Sequence, residues 1–282
     1  MKKILMTGST GFIGRNILPI LNQSAEILSP KRQDLDLKDE NSVRRYLINN
    51  KVDFILHCAN PNPIKNQLDS QSTMFEDSLR IFMNLYNSSD LYEKLFFLGS
   101  GAEYDKTMEI CCVKEEECFR SVPKDQYGLA KYIENTIAEK SIKAYNLRVF
   151  ACYGPNDHPS KFITHCINCC LNDQDITIRQ DCYFDYLHVF DLAAMIEWHI
   201  NNDQKHTSYN MCSGHRVLLS DIAKEVKMQM KSNLSILIQN DGLNKEYTAS
   251  NERFTSESGM FPAISLGEGI SKQIEWEKEK RV

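Results

Sequence analysis

Hydrophobic positions change period from segment to segment along this chain. Ile4-Leu5-Met6 is a short apolar run, the mark of one strand buried on both faces, and it leads through Thr7 into Gly8-Ser9-Thr10-Gly11-Phe12-Ile13-Gly14. Phe12, Ile13, Ile17, Leu18 and Leu21 then recur at helical spacing. Further strand-like runs stand at Phe54-Ile55-Leu56-His57-Cys58, at Lys94-Leu95-Phe96-Phe97-Leu98 and over residues 145–150, with helical patterns between them at 41–49, 77–91 and 125–140. This alternation predicts an α/β fold built on a doubly wound parallel sheet. Past Gly154-Pro155-Asn156-Asp157 the pattern loosens. Strands are expected near 176–178, 183–189 and 234–238, and helices near 191–201 and 220–230, before a polar stretch that ends near Pro262. No repeat or linker separates the halves, so the second unit is expected to be interleaved. Residues 1–155 plus about 183–214 should form a dinucleotide-binding domain, and about 156–182 plus 215–282 a smaller substrate-binding lobe.

A strand, a G-x-x-G-x-x-G turn and a helix N-terminus together make a cradle for a pyrophosphate. Gly8 permits the turn, Gly11 lets backbone approach the ligand, and Gly14 lets helix pack on strand. The helix end offers N–H groups and a positive dipole to phosphate. Gly8, Thr10, Gly11, Phe12, Ile13 and Gly14 are therefore the candidate cofactor contacts. NAD sites usually carry an acidic residue at the end of the second strand. Here Glu26-Ile27-Leu28 runs into Ser29-Pro30-Lys31-Arg32, with no carboxylate before Asp34. Lys31 and Arg32 are candidates to hold a 2′-phosphate through charge-assisted hydrogen bonds, and a solvated loop is the other reading.

Composition removes several classes. A quarter of the 282 residues are charged and the net charge is −5, so no basic face is advertised for nucleic acid. No apolar stretch is long enough to span a bilayer, and no signal-peptide pattern opens the chain. Ten cysteines without an export signal point to free thiols and a cytoplasmic location. His165-Cys166-x-x-Cys169-Cys170 has the look of a metal cluster, yet Phe162, Ile163, Cys166, Ile167, Cys170 and Leu171 fall at helical spacing. Buried thiols are the expected outcome, and no metal is expected.

Tyr127-Gly128-Leu129-Ala130-Lys131 opens a predicted helix, and i, i+4 spacing puts Tyr127 and Lys131 on one face. A nearby ammonium favours the phenolate, so Lys131 is expected to keep Tyr127 acidic enough to exchange a proton with a carbinol oxygen. Ser100 follows the run at 94–98 and should stand at the carboxyl edge of the sheet, where ligands bind in such folds. Its hydroxyl can hold the same oxygen.

With these residues in place, the chain resembles the extended short-chain dehydrogenase/reductase family, the NAD-dependent epimerase/dehydratase group that acts on nucleotide-activated sugars. Gly8, Gly11 and Gly14 match its nucleotide turn, Asp53 to Ala59 its D-x-V-I-H-x-A strand, and Phe97 to Tyr104 its Ser-bearing strand. Residues 146–155 resemble N-L-R-x-x-N-V-Y-G-P, and 186–193 and 209–214 match two later signatures. The resemblance implies a Rossmann domain, an NADP or NAD cofactor also touching Cys58 and Ala59, a nucleotide-sugar substrate and a homodimer. It assigns hydride-coupled proton transfer to Ser100, Tyr127 and Lys131, with Lys131 also on the nicotinamide ribose.

Three departures narrow the chemistry that the resemblance implies. The 4,6-dehydratases carry an Asp-Glu pair directly after the catalytic Ser or Thr, where this chain has Gly101 and Ala102. Enzymes that epimerise beside a keto group place a Cys at the position of Ala102, paired with a His or Lys near Lys161. Lys161 alone suits a substrate phosphate, and a solvated side chain is the other reading. The family's R-D-F is Phe184-Asp185-Tyr186 here, so the Arg that often grips the diphosphate is missing, and Arg179 and Arg253 are candidate replacements. Ser100, Ala102, Lys161, Arg179 and Arg253 make up the expected substrate side. What remains is hydride transfer at one carbon. The reading is an NAD(P)-dependent oxidoreductase reducing a 4-keto sugar nucleotide. The alternatives are a 4-epimerase with retained NAD and a non-catalytic NAD(P)-binding regulator.

Overall fold

The apolar runs of the first half read as strands at 4–6, 54–57 and 94–98 are buried on both sides. Ile4 and Met6 enter one core and Leu5 the other, and Phe54 and Leu56 alternate with Ile55 in the same way, as do Phe96 with Leu95 and Phe97. Side chains alternate faces along a strand, so this pattern requires helical layers above and below one sheet. The computed structural model of the chain describes residues 1–61 and 73–281.

The elements begin with β1 (Lys3–Thr7), α1 (Phe12–Leu21), β2 (Glu26–Leu28), α2 (Glu40–Asn50), β3 (Phe54–His57), α3 (Met74–Tyr86) and β4 (Lys94–Ser100). Next come β5 (Ile110–Val113), α4 (Gln126–Ala138), β6 (Ala144–Val149), β7 (Ala151–Tyr153), α5 (Phe162–Leu171), β8 (Ile176–Asp181), β9 (Tyr183–Phe184) and β10 (Tyr186–His188). The chain continues through α6 (Val189–Asn201), β11 (Ser208–Met211), β12 (Val217–Leu218), α7 (Leu219–Met230), β13 (Ile236–Leu243), β14 (Tyr247–Ala249), α8 (Glu252–Ser258) and α9 (Leu266–Glu279).

Six strands form the central sheet in the order β11-β6-β4-β3-β1-β2, all parallel. Parallel pairing points every carboxyl end the same way, so the ends of β1, β3, β4 and β6 share one edge. A further apolar cluster, built from α5, β8, α7 and α9, fills the smaller lobe and takes in Cys166 and Cys169. All ten cysteines are free thiols.

The interleaving is more intimate than the expected residue boundaries. Within 183–214, α6 and β11 pack on the central sheet, but β9 joins a four-stranded sheet, β12-β9-β14-β5, and β10 pairs with β7. Conversely Phe254 of α8 enters the main core. The four-stranded sheet takes β5 from the first half and β14 from the last, so it ties the two lobes together beside the sheet edge. The helix expected at 77–91 begins at Met74 and ends at Tyr86, and a short 3-10 turn covers Ser89–Leu91.

Candidate active site

A cleft of about 1290 Å³ opens along the carboxyl edge of the sheet. One end is the turn between β1 and α1. Gly8 has φ +72°, and a Cβ there would fall on the backbone of Ala59, at the end of β3; a Cβ on Gly14 would fall on the Gly8 carbonyl. Both positions thus require glycine for the close approach they make. Thr7 fastens the strand ends, with Oγ1 2.7 Å from His57 Nδ1 and accepting from the Ala59 N–H at 3.3 Å. Asn16 donates to the Pro155 carbonyl at 2.7 Å and Arg15 to Asn156 Oδ1 at 3.3 Å, which tie α1 to the segment entering the small lobe. No side chain caps α1 at Gly11, so its first turn is presented bare to the cleft. A side-chain-free cradle at an uncapped helix N-terminus fits a pyrophosphate.

Thr10, Phe12, Ile13, Cys58 and Ala59 line the same wall. Beyond β2, the exposed Lys31 and Arg32 also border the cleft. Asp34 is turned into the loop, accepting from the Lys31 N–H at 3.3 Å, and Asp36 accepts from the Lys38 N–H at 2.9 Å.

Ser100 ends β4 and caps the 3-10 turn Gly101–Glu103. Its hydroxyl oxygen accepts from the Ala102 N–H at 3.2 Å, while its own N–H donates to Glu103 Oε1 at 2.8 Å. Glu103 is fully buried and paired with Arg148, Nε to Oε2 2.6 Å, and also accepts from Asn146 Nδ2 at 2.9 Å. Arg148 continues to Asn210 Oδ1 at 3.0 Å, and the Asn210 N–H donates to Glu115 at 2.8 Å. This ionic network clamps the backbone that presents Ser100.

Asp125 starts α4 by accepting from the Gly128 N–H at 2.9 Å. A Cβ on Gly128 would strike the Ala102 carbonyl, so this glycine sets α4 directly against the turn after Ser100. Tyr127 and Ser100 thereby line the same cleft, and Lys131, one turn along α4, lines it too. Lys131 is buried and donates to Glu134 Oε2 at 2.8 Å.

This pairing changes the expected electrostatics. Burial pushes the Tyr127 phenol above the ordinary tyrosine value, and Lys131 and Ser100 pull it down without overcoming burial. The ammonium is shared with Glu134, whose charge adds to burial in opposing ionisation of the phenol. For Lys131, burial disfavours the charge, but Glu134 and Tyr127 outweigh it and hold the pKa above its usual value. Burial, with Lys131 adding to it, drives His57 down to about 3, so that ring is neutral.

On the substrate side the residues divide. Ser100 and Lys161 line the cleft, the latter exposed at the start of α5. Ala102 does not, because its side chain is fully buried under α4. Arg179 is exposed on β8 and Arg253 faces Glu115 and Glu116 in a separate surface hollow, so neither borders the cleft. Phe184 does border it, packed between Tyr186 and Tyr247 at centroid distances of 5.7 and 5.3 Å. Tyr247, Glu103 and Glu134 escaped sequence reasoning. Tyr247 lies in a polar stretch, and a glutamate carries no signal of its burial until its partner is placed.

Among the described residues, one group of thiols and carboxylates comes within 4.8 Å: Cys111, Cys112 and Glu246. Arg216 already holds both Glu246 oxygens, at 2.7 and 2.6 Å. No described helix is long and apolar enough to cross a membrane.

The chain is 23% identical over 303 residues to GDP-L-colitose synthase of Yersinia pseudotuberculosis, covering 97% of each. It is 20% identical to a trifunctional UDP-glucose 4,6-dehydratase/UDP-4-keto-6-deoxy-D-glucose 3,5-epimerase/UDP-4-keto-L-rhamnose-reductase of Arabidopsis thaliana, covering 98% of this chain but spanning about half, 47%, of that relative. Its fold matches that of GDP-mannoheptose C4 reductase from Campylobacter jejuni, solved with NADP bound, with a TM-score of 0.84 at 19% identity over 98% of both chains. The family model for NAD dependent epimerases and dehydratases matches residues 4–212, most of the chain. By that match, and with the glycine cradle in its expected place, this chain belongs to the NAD dependent epimerase/dehydratase family.

Proposed function

We propose that this protein reduces a 4-keto sugar nucleotide with NADPH, using Ser100, Tyr127 and Lys131 at the reacting carbonyl. The observation that carries the reading is the meeting of Ser100, Tyr127 and Lys131 in the same cleft that the glycine turn opens into. Gly8, Gly11, Gly14 and the start of α1 would hold the pyrophosphate, Lys31 and Arg32 the 2′-phosphate, and Lys131 the nicotinamide ribose. When bound, the reduced nicotinamide supplies hydride. The chain's part is to deliver the proton and hold the oxygen. Tyr127 gives its phenolic proton to the carbonyl oxygen, and Ser100 donates a hydrogen bond to that oxygen as charge develops on it. A tyrosine carries its proton at neutral pH, the state that reduction needs, and burial pushes the Tyr127 pKa further in that direction.

Two features weigh against elimination or epimerisation beside the carbonyl. Gly101 has no side chain, and the Ala102 methyl is buried away from the cleft. The Yersinia and Campylobacter proteins, named a synthase and a C4 reductase, are in keeping with a releasing reductase. Lys161 is the cation assigned to the substrate diphosphate, facing an aromatic wall of Phe184 and Tyr186.

The test is the cofactor content of freshly purified protein, by denaturing release and mass spectrometry, followed by titration with NADPH and NADH. An empty site preferring NADPH, with turnover of 4-keto sugar nucleotides, is expected. Tightly held NAD(H) near one per chain would overturn the reading in favour of a 4-epimerase.

A further inference from the structure

Strand β5 carries two adjacent cysteines that the reaction does not use. Successive side chains of a strand point to opposite faces, yet Cys111 and Cys112 are both exposed, while Ile110 and Val113 on either side of them are buried. The backbone explains the exception. Ile110 pairs with Tyr247 of β14 and Val113 with Ala249, so the two cysteines face the single residue Thr248. The extra residue makes a bulge, and Cys112 absorbs it with φ +45°, a left-handed conformation that side chains other than glycine disfavour. The outcome is a pair of neighbouring thiols open to solvent on the outermost strand of the four-stranded sheet.

A third donor meets them. The sulfurs of Cys111 and Cys112 and a carboxylate oxygen of Glu246 all lie within 4.8 Å of one another. A tetrahedral ion bonded at about 2.3 Å to sulfur and about 2.1 Å to oxygen holds its ligand atoms roughly 3.5–3.8 Å apart, a gap that small side-chain rotations close. A disulfide is the poorer use of the pair, because adjacent Cα atoms stand about 3.8 Å apart, short of the range of about 4.4–6.8 Å that such a bond spans.

Glu246 is already oriented. Arg216 donates from Nε to Oε1 at 2.7 Å and from Nη2 to Oε2 at 2.6 Å, and the Thr248 hydroxyl donates to Oε1 at 2.5 Å. A carboxylate offers about four lone-pair positions, and these three contacts leave one open on Oε2. Thr248 Oγ1 also accepts from the Cys112 N–H at 2.8 Å, which ties the bulge to the carboxylate. A divalent charge, together with that of Arg216, offsets the two thiolates and the carboxylate.

We propose that Cys111, Cys112 and Glu246 form a binding site for a thiophilic divalent metal ion of the zinc class, with water as the fourth ligand. Thiolate donors select such an ion over magnesium or calcium. Each thiol releases its proton to solvent as the ion takes its place. The ion pins β5, from the first half of the chain, to the residue that precedes β14 in the second. The site is independent of the roles proposed for Ser100 and Tyr127.

The test uses full-length protein, reduced and stripped of metal, titrated with Zn²⁺ against a chromophoric chelator. The loaded protein is then read by X-ray absorption. One ion per chain is expected, with two sulfurs at about 2.3 Å and the remaining ligands oxygen. Cys111→Ser with Cys112→Ser should abolish that binding, whereas His165→Ala, which removes the histidine beside Cys169, should leave it intact. Glu246→Gln should weaken it by about tenfold or more, at least the loss that removing an outer-shell partner brings. Binding that survives the double serine variant overturns the proposal, as does a shell with fewer than two sulfurs. An unchanged affinity in Glu246→Gln overturns it too, since the dithiol would then be acting alone. The sulfur count is read on the unaltered chain, so it decides the matter whatever a substitution does to folding.

Discussion

Opposing influences act on the Tyr127 phenol: burial raises its pKa, while Lys131, whose charge is shared with Glu134, and Ser100 lower it. Removing only its hydroxyl leaves the cleft lining otherwise unchanged. Tyr127→Phe is expected to lower kcat by about 10²-fold or more while NADPH affinity stays near wild type, measured by steady-state kinetics and fluorescence titration. Asp157, at the lobe junction, has a different use for burial. It is 3% exposed, and burial raises its pKa to about 7 despite Lys161. The unfolded chain gives up this proton near pH 4, whereas the folded protein keeps it until about 7. Between those values the folded state binds more protons, so this residue makes stability fall as pH rises. Asp157→Asn should flatten that slope and stabilise the protein at neutral pH by on the order of 2–3 kcal/mol, read from urea unfolding at pH 4.5 and 7.5.

Whole elements are placed by contacts as small as one missing methyl. Gly128 brings α4 onto the Ala102 carbonyl, and so Tyr127 to Ser100. Gly128→Ala adds helix propensity to α4 but forces the helix outward. The expected result is a kcat loss of about tenfold with a Tm no higher than wild type, against the gain of about 1 kcal/mol that Ala brings to an unconstrained helix. In the central sheet β1, β3 and β4 were legible in the sequence because both their faces are buried and their apolar runs are continuous, whereas β11, Ser208-Tyr209-Asn210-Met211, has no such run and no strand was expected there. The candidate reaction centre was legible as far as residues a few positions apart define it, in the glycine turn and in Tyr127 with Lys131. Short strands were not: Ile110-Cys111-Cys112-Val113 and Tyr247-Thr248-Ala249 have too few residues to show a period, and they pair across more than 130 positions. Arg253 was misplaced for the same reason, since its partners Glu115 and Glu116 lie in another part of the chain.

Across the molecule, the buried Glu103–Arg148 pair joins the turn after β4 to β6, and through Asn210 it reaches β11. Glu103→Gln leaves the Arg148 charge without its counterion, and a loss of about 3–5 kcal/mol in chemical denaturation is expected, with kcat falling as Ser100 loses its anchor. A milder change, within 1 kcal/mol, would mean that water replaces the carboxylate. The position of β11 carries one more consequence, for synthesis. It is the outermost strand beside β6, although nearly sixty residues separate the two along the chain. A ribosome making this protein therefore exposes the open N–H and C=O row of β6 long before its neighbour emerges, a template for pairing with another nascent chain. Polysomes crowded with this message would need a chaperone to shield that row until residue 211 has left the exit tunnel.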